Sequence, residues 1–305
     1  MHKPTPPRLS IFGAGKLGQT LAHLWQAKGC VTIGQVVCQH IKSAKDAVAF
    51  IGAGNATTPE NRPAGCDIWL LSCPDQVLPE AARWIAQQPL HGGQVVFHCA
   101  GSLNHTALEP AQPAQLASVH PVHAFSAPSD AIHTLAGSYC VAEGSDTAKS
   151  LLKPLFTALE CQWLELDARS QDAKALYHAA TVSASNHLVT LIDQALRLAE
   201  FAGLSRTQAA ELLRPLATQN LDKTLQGPAD AVLTGPVSRG DTRTLAAHFS
   251  ALAHSEVPMG DQQLYRQLAE STLAIARHQG DNAEARLTEI QQLIDKQLSL
   301  LNARK

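Results

Sequence analysis

No apolar run in the 305-residue sequence approaches the roughly 18 residues that a membrane helix needs. The opening stretch, M-H-K-P-T-P-P-R, has no apolar h-region, so no secretory signal is expected and the expected compartment is the cytoplasm. A basic excess is missing too: 24 Lys+Arg stand against 26 Asp+Glu, a net charge of −2. Neutralising a phosphate backbone needs such an excess, so neither nucleic acid nor a membrane is an expected partner. The seven cysteines are odd in number, scattered, and form no C-x-x-C. That favours buried thiols in a reducing compartment over disulfides or zinc. Charged residues make up only 16%, but 45% of the chain is apolar, enough to offset the entropy of ordering a globular protein. The sequence contains no internal repeat and no low-complexity segment.

Proline is scarce in one half only. Residues 1–160 hold 13 of the 17 prolines, and the remaining 4 lie beyond them, where charge is denser. Prolines mark loops and element ends, and charge marks solvated helix faces. The expectation is therefore two domains, 1–165 built of short elements and 166–305 built of long helices.

What is present supports that division. Leu9–Phe12, Val31–Cys38, Ile68–Ser72, Val95–His98, Leu116–Val119, Tyr139–Val141 and Trp163–Leu166 read as strands, with a weaker one at Val48–Ile51. Continuous apolar runs bounded by Gly, Pro and Asp suit strands buried on both faces. Leu17, Leu21, Leu24 and Trp25 share one helix face. Alternating strands and helices predict an α/β class, a doubly wound parallel sheet, followed by an all-α C-terminal domain. In that second domain Lys174–Ala202 reads as one long, largely buried helix stopping at Gly203. Ser205 caps the next helix, and two more cover Gln262–His278 and Ala283–Leu301.

I-F-G-A-G-K-L-G sets Gly13, Gly15 and Gly18 in the G-x-G-x-x-G spacing, after a strand and at the start of an amphipathic helix. Gly13 would allow the tight turn, Gly15 the approach of a pyrophosphate, and Gly18 close packing of helix on strand. Ala14, Lys16 and Leu17 complete the expected cradle. A second G-A-G at Gly52–Gly54 lacks the following helix pattern and is read as a decoy. An NAD site usually has an acid at the end of the second strand, for the ribose hydroxyls. Here Gln39, His40, Lys42 and Ser43 offer polar and cationic groups instead, so NADP(H) is the expected cofactor. Lys42 capping a solvated turn is the alternative. Ligands of such sheets bind beyond the carboxyl ends of the strands. That singles out Ser72, Cys73, Pro74 and Asp75, and then His98 and Ser102. His98 could equally be a satisfied core histidine.

At 100° per residue Lys174, His178, Thr181 and Ser185 form a narrow stripe, with Asn186 about 80° away. A polar stripe on a buried helix must meet hydrogen-bonding partners or a cavity. Lys174 or His178 could act as general acid for an alkoxide formed by hydride transfer, and Asn186 could orient the substrate. In L-T-G-P-V-S-R-G-D, Arg239 suits a carboxylate or phosphate, with Thr234 beside it and Asp241 to position it. A capped loop before the helix at Thr242 is the competing reading. His120 is a further substrate-site candidate. His120 and His123 lack two more convincing ligands, so no metal is expected.

Together G-A-G-K-L-G, S-C-P-D, V-H-P-V, Y-H-A-A-x-V-x-A-S-N and L-T-G-P-V-S-R-G-D resemble a bacterial family over nearly the whole chain. Its members have a Rossmann-like N-terminal domain and a helical C-terminal domain of unknown function. They are commonly described as NADP- or deazaflavin-dependent oxidoreductases. Some relatives act as an alternative type of ketopantoate reductase. The architecture is also similar to ketopantoate reductases, pyrroline-5-carboxylate reductases and 6-phosphogluconate dehydrogenases, which commonly dimerise through their C-terminal helices. The resemblance implies an NADPH-dependent reductase of a small 2-oxo acid, specifically ketopantoate, acting as a cytoplasmic homodimer. Lys174 and Asn186 are placed like the acid and a substrate ligand of the ketopantoate reductase pattern. His178 departs from it, since that pattern has Asn there. The Thr-rich loop typical of pyrroline-5-carboxylate reductase is not evident. A reductase of a cyclic imine, a deazaflavin enzyme and a non-catalytic NADP(H)-binding regulator are the alternatives.

Overall fold

The computed structural model describes residues 5–62, 64–167, 172–254, 256–279 and 284–302. Two compact units emerge, meeting in sequence at Ala184 and Ser185. The composition had pointed to residue 165. The difference is one helix, which stays with the first unit because its lysine is buried there.

The first unit is built on an eight-stranded sheet. Its strands are β1 (Arg8–Phe12), β2 (Thr32–Val37), β3 (Asn55–Thr57), β4 (Ile68–Leu71), β5 (Val95–His98), β6 (Gln115–Pro121), β7 (Tyr139–Gly144) and β8 (Gln162–Glu165). Their order is β3-β2-β1-β4-β5-β6-β7-β8. β1 to β6 run parallel, and β7 pairs antiparallel with β6, so β7 and β8 run opposite to the rest. The helices are α1 (Lys16–Ala27), α2 (Ile41–Ile51), α3 (Leu78–Ile85), α4 (Pro128–Thr134), α5 (Asp146–Ala158) and α6 (Ala173–Val182).

Side chains alternate across a strand, so each face gathers its own core. Leu9, Ile11, Leu70, Phe97 and Val119 pack with Leu21 and Trp25 of α1 and Phe156 of α5. Phe12, Trp69, Leu71, Val96 and Leu116 pack with Leu78, Trp84 and Ile85 of α3. A doubly wound sheet with helices on both faces results. The strand expected at Val48–Ile51 is instead the last turn of α2. Ala44, Ala47 and Ile51 are buried from one helix face, and the helix stops at Gly52. The true neighbour of β2 is the short, polar β3.

The second unit is helical: α7 (Leu188–Phe201), α8 (Arg206–Gln226), α9 (Ala229–Val232), α10 (Thr242–His254), α11 (Met259–Ala276) and α12 (Glu284–Asn302). Val237, Leu245, Phe249, Leu273, Leu287, Ile290 and Ile294 form its core. Ser205 caps α8 in a capping box with Gln208. Arg197 grips both carboxylate oxygens of Asp261, at 3.1 and 2.7 Å, tying α7 to α11.

The expected single helix over 174–202 is one continuous helical run with a π turn inside it. That turn, at Ser183–His187, joins α6 to α7. The stretch is not buried, however. In α6 the buried residue is the charged Lys174, while Leu176 is 67% exposed, and Val189 of α7 is 70% exposed. Abundant Ala, Val and Leu gave an apolar pattern, but these apolar side chains are uncovered in the single chain.

Candidate active site

The parallel strands β1, β4, β5 and β6 end at one edge of the sheet, and the first unit gathers its polar side chains along that edge. Gly13 follows β1 with φ +83°, a left-handed conformation that a side chain resists. A Cβ there would also lie 2.6 Å from the backbone nitrogen of Cys73. At Gly18 a Cβ would lie 3.1 Å from the Gly13 carbonyl and closer still to the Ser72 hydroxyl. That hydroxyl donates to the same carbonyl. Gly15 differs: a Cβ would meet only the Ser72 carbonyl, at 3.9 Å. Gly13 and Gly18 are thus small because this chain fills their space, whereas the space at Gly15 is open. Gly15 is also the N-cap of α1 and offers no side chain to the first amides of that helix. An open, uncapped helix N-terminus of 12 residues fits a pyrophosphate. The flanking Ala14, Lys16 and Leu17 belong to the same turn and the first turn of α1.

Beyond β2, Gln39, His40, Lys42 and Ser43 are exposed around the start of α2, where His40 is the N-cap without a side-chain cap bond. Two cationic-capable side chains at an uncapped helix start suit an anion such as a ribose 2′-phosphate. The second G-A-G ends α2 and leads into β3.

From the fingerprint the edge continues through the loops after β4 and β5. Ser72 and Cys73 abut Gly13, Pro74 follows them in the loop, and Asp75 accepts a hydrogen bond from the Ser102 hydroxyl at 3.2 Å. Burial pushes the Cys73 thiol up to about 11, so it is not a thiolate at neutral pH. His98, at the end of β5, is fully buried. Its Nδ1 accepts from the Ala100 amide at 3.1 Å, and its Nε2 lies 3.1 Å from the Asn104 carbonyl. Burial pushes it down to about 4. It is a neutral, satisfied histidine that shapes the loop leading to Gly101.

The densest cluster follows. Lys174, 4% exposed, donates to the buried Ser118 hydroxyl at 2.8 Å. Burial lowers its pKa from the ordinary lysine value, and the Glu143 carboxylate pulls it partly back. One turn on, Tyr177 pairs its hydroxyl with His120 Nδ1 at 2.9 Å. The His178 ring packs edge-on against His120, centroids 5.6 Å apart. Both rings close on Gly101: a Cβ there would lie 2.6 Å from His178 Cε1 and 3.1 Å from His120 Nε2. Burial, the Lys174 charge and His178 push His120 down to about 4. His123 pairs instead with Ser138 and Thr134. Among the described residues no group of three or more His, Cys, Asp or Glu could hold a metal ion.

The remaining residues of the expected stripe open the second unit. The π turn breaks the 100° spacing on which the stripe was drawn, because its bonds run i to i+5. Ser185 and Asn186 are exposed, and the Ser185 hydroxyl donates to the Asn186 side-chain oxygen at 2.9 Å. Arg239 lines a cavity of about 580 Å³ with Asp230, Ser238, His278 and Gln279. Thr234 lines a different, more apolar cavity of about 290 Å³ beside Leu198 and Tyr265. Asp241 caps α10: its carboxylate accepts from the Thr244 amide at 3.0 Å and hydroxyl at 2.7 Å. Those bonds hold its pKa below the ordinary carboxylate range, with Arg239 a lesser influence.

Ser118, Glu143, His105 and Tyr177 were missed as site residues in the sequence. Glu143 had left a trace, an acid closing an apolar strand. His105 donates its backbone amide to Glu143 Oε1 at 2.7 Å, and its Nδ1 lies 2.5 Å from Oε2.

Residues 3–121 match the Rossmann-like domain family, and residues 138–272 match DUF2520, a domain of unknown function. No curated protein matches the sequence. Among solved structures, a proposed NADP oxidoreductase, BF3122 from Bacteroides fragilis, aligns with a TM-score of 0.69 and 21% identity. The alignment covers 88% of this chain and 98% of that one. An imine reductase from Myxococcus stipitatus, in complex with NADP+, aligns with a TM-score of 0.58 and 18% identity, over 93% and 100% of the two chains. Pyrroline carboxylate reductase from Plasmodium falciparum, with NADP bound, aligns with a TM-score of 0.57 and 12% identity, over 90% and 97%. At these identities the likeness is one of fold. The chain is thus similar to Rossmann-like domains over 3–121 and to DUF2520 over 138–272.

Proposed function

We propose that this protein is an NADP(H)-dependent oxidoreductase that reduces a small C=O or C=N substrate, with Lys174 as the proton source. The observation that carries the reading is the continuous edge from the open space at Gly15, through Ser72–Asp75 and Ser102, to Gly101, His120 and His178, with the buried Lys174 ammonium behind it. The neighbours named for NADP support the cofactor, and the imine and pyrroline carboxylate reductases support a reductase.

The cofactor fits the residues present. Gly13–Gly18 and the α1 N-terminus would hold its pyrophosphate, and Gln39, His40, Lys42 and Ser43 its 2′-phosphate. Ser72, Cys73, Pro74 and Ser102 would flank the nicotinamide end. When bound, the cofactor supplies a hydride. The protein's task is then the proton: an alkoxide would be neutralised, or an imine nitrogen protonated to the iminium that accepts the hydride, and an ammonium with a lowered pKa is suited to give it up. His120 and His178 shape the reacting face. His120 is neutral at pH 7, so its ring can hydrogen-bond without repelling the Lys174 charge. Ser185, Asn186, Thr234, Arg239 and Asp241, expected from the sequence as catalytic or substrate residues, belong to the second unit.

The test is NADPH oxidation with ketopantoate, other 2-oxo acids and cyclic imines. Turnover of a 2-oxo acid supports the ketopantoate assignment, and turnover of imines alone replaces it. No turnover of any of them would sink the reductase reading as stated. Lys174→Ala and His178→Ala assign the acid: a loss well above tenfold is expected for Lys174, against roughly 10²–10⁴ for acid catalysis generally.

The protein is further proposed to act as a homodimer. Val189, Leu212, Leu216 and Leu225 of the second unit are exposed large apolar side chains, and self-association would cover side chains of this kind. Light scattering at the chain mass would contradict it. Among the described residues no helix is long and apolar enough to cross a membrane.

A further inference from the structure

An acidic residue crosses the sheet at a place the fold would otherwise keep apolar. In register across β4, β5, β6 and β7 stand Leu71, His98, Ser118 and Glu143. Three of these four are polar, and all three are buried, Glu143 being 6% exposed. Residues directly opposed on antiparallel strands hold their Cβ atoms about 4.5–5.5 Å apart. Ser118 is thus the immediate neighbour of Glu143, and Ser118 Oγ receives the Lys174 ammonium at 2.8 Å. The carboxylate and the ammonium occupy adjacent places on one sheet face.

Glu143 is also held from its far side. His105 engages both oxygens, through its amide and its Nδ1. A lone buried carboxylate would take up a proton to escape the cost of burial. Here burial does raise the Glu143 pKa, but His105 and Lys174 outweigh it, so the group stays ionised. The other titratable groups acting on Lys174 carry no negative charge at neutral pH. His98 and His120 are both pushed down to about 4 by burial. Cys99 is buried and its thiol is pushed up, hence protonated. His178 lies one turn along α6. His105 is pushed up by its bond to Glu143, and so strengthens that carboxylate's anchorage.

We propose that Glu143, clamped by His105, is a positioning residue for Lys174: it supplies the buried counter-charge that keeps the ammonium protonated and directed at Ser118. This rests on Lys174 being the proton source. Removing the carboxylate would leave a buried ammonium with no compensating charge, and that ammonium would release its proton at lower pH.

The experiment is an NMR titration of the protein labelled at lysine 13Cε, with the Lys174 signal assigned by its loss in Lys174→Met. In Glu143→Gln the Lys174 midpoint is expected to fall by about one unit or more. In Glu143→Asp, which keeps the charge, it should return toward the wild-type value. Linkage is reciprocal. In Lys174→Met the Glu143 carboxyl, followed by 13Cδ-glutamate, should therefore titrate at higher pH. That measurement reads the same coupling if Glu143→Gln does not fold. An unchanged Lys174 midpoint in folded Glu143→Gln, or an unchanged Glu143 midpoint in Lys174→Met, overturns the proposal. Neither readout uses turnover, so a missing reductase activity would defeat the proposed function and leave this coupling measurable.

Discussion

Replacing Gly101 with alanine puts a methyl group where the His178 ring now lies. The new Cβ would be 2.6 Å from His178 Cε1, where ordinary van der Waals contact begins at 3.4 Å, so the ring must retreat by about 1 Å. What has to give way is the His178 ring, with the His120 ring, 3.1 Å from the new Cβ, yielding by a few tenths of an ångström. The stability cost therefore belongs at the low end of the overpacking range, about 1 kcal/mol. The catalytic cost belongs at the high end, because a displacement of about 1 Å at a reacting site is worth roughly 10²-fold in rate. The expected outcome is a small drop in Tm, unchanged NADPH affinity, and kcat lower by about two orders of magnitude. Thermal unfolding, NADPH fluorescence titration and steady-state turnover measure the three quantities. Unchanged kcat in a folded Gly101→Ala protein would refute the role given to His178 and its loop. A large loss of stability would refute the claim that the ring yields easily.

Other substitutions separate folding from binding. Gly13→Ala meets both a positive φ and the Cys73 backbone, so it should destabilise by about 1–3 kcal/mol in urea unfolding. Gly15→Ala meets open space, so it should leave stability nearly unchanged and weaken NADPH binding in calorimetry. Lys42→Ala should weaken NADPH binding and leave NADH binding largely intact, narrowing the preference between them; equal losses for both would count against a phosphate contact. The pH dependence also has a definite sign. His98 and His120 are pushed down to about 4, below the unfolded value of about 6.5. Their contribution is full above pH 6.5 and is lost as pH falls toward 4, with a limiting slope of about 2.7 kcal/mol per pH unit for two protons. The His105–Glu143 pair acts outside that window: His105 has the opposite sign but changes above about pH 6.5, and Glu143 has the same sign but changes below the ordinary carboxylate value. The raised His105 contributes below about 6.5 and the lowered Glu143 above the ordinary carboxylate value. Urea midpoints should fall between pH 7 and pH 5, and less steeply in His98→Gln; a flat profile would show that these histidines are not buried neutral.

Legibility from sequence followed locality. The turn at Gly13–Gly18, the capping box at Ser205 and the strands β4 and β5 were readable because each rests on neighbours in the chain. β3 was not, because Asn55–Thr57 is short and carries no apolar alternation. Val48–Ile51 misled because four apolar residues fit a strand and a helix end equally well. Lys174 and His178 were visible as a helix stripe. Ser118, Glu143 and His105 became visible only with the β6–β7 register, which brings residues far apart in the chain side by side. The π turn, too, leaves no mark in the apolar pattern, so Ser185 and Asn186 were extrapolated along a helix that changes pitch before reaching them.

The central claim is that the edge running from Gly15 to Lys174 binds NADP(H) and transfers a hydride with a proton from Lys174. Its most direct test is single-turnover oxidation of bound NADPH by the 2-oxo acid and cyclic imine panel, in wild type and Lys174→Ala. The account predicts saturable NADPH binding in both proteins, with hydride transfer to at least one substrate slowed by roughly 10²-fold or more in the variant. Absence of NADPH binding, or equal rates in the two proteins, would contradict it.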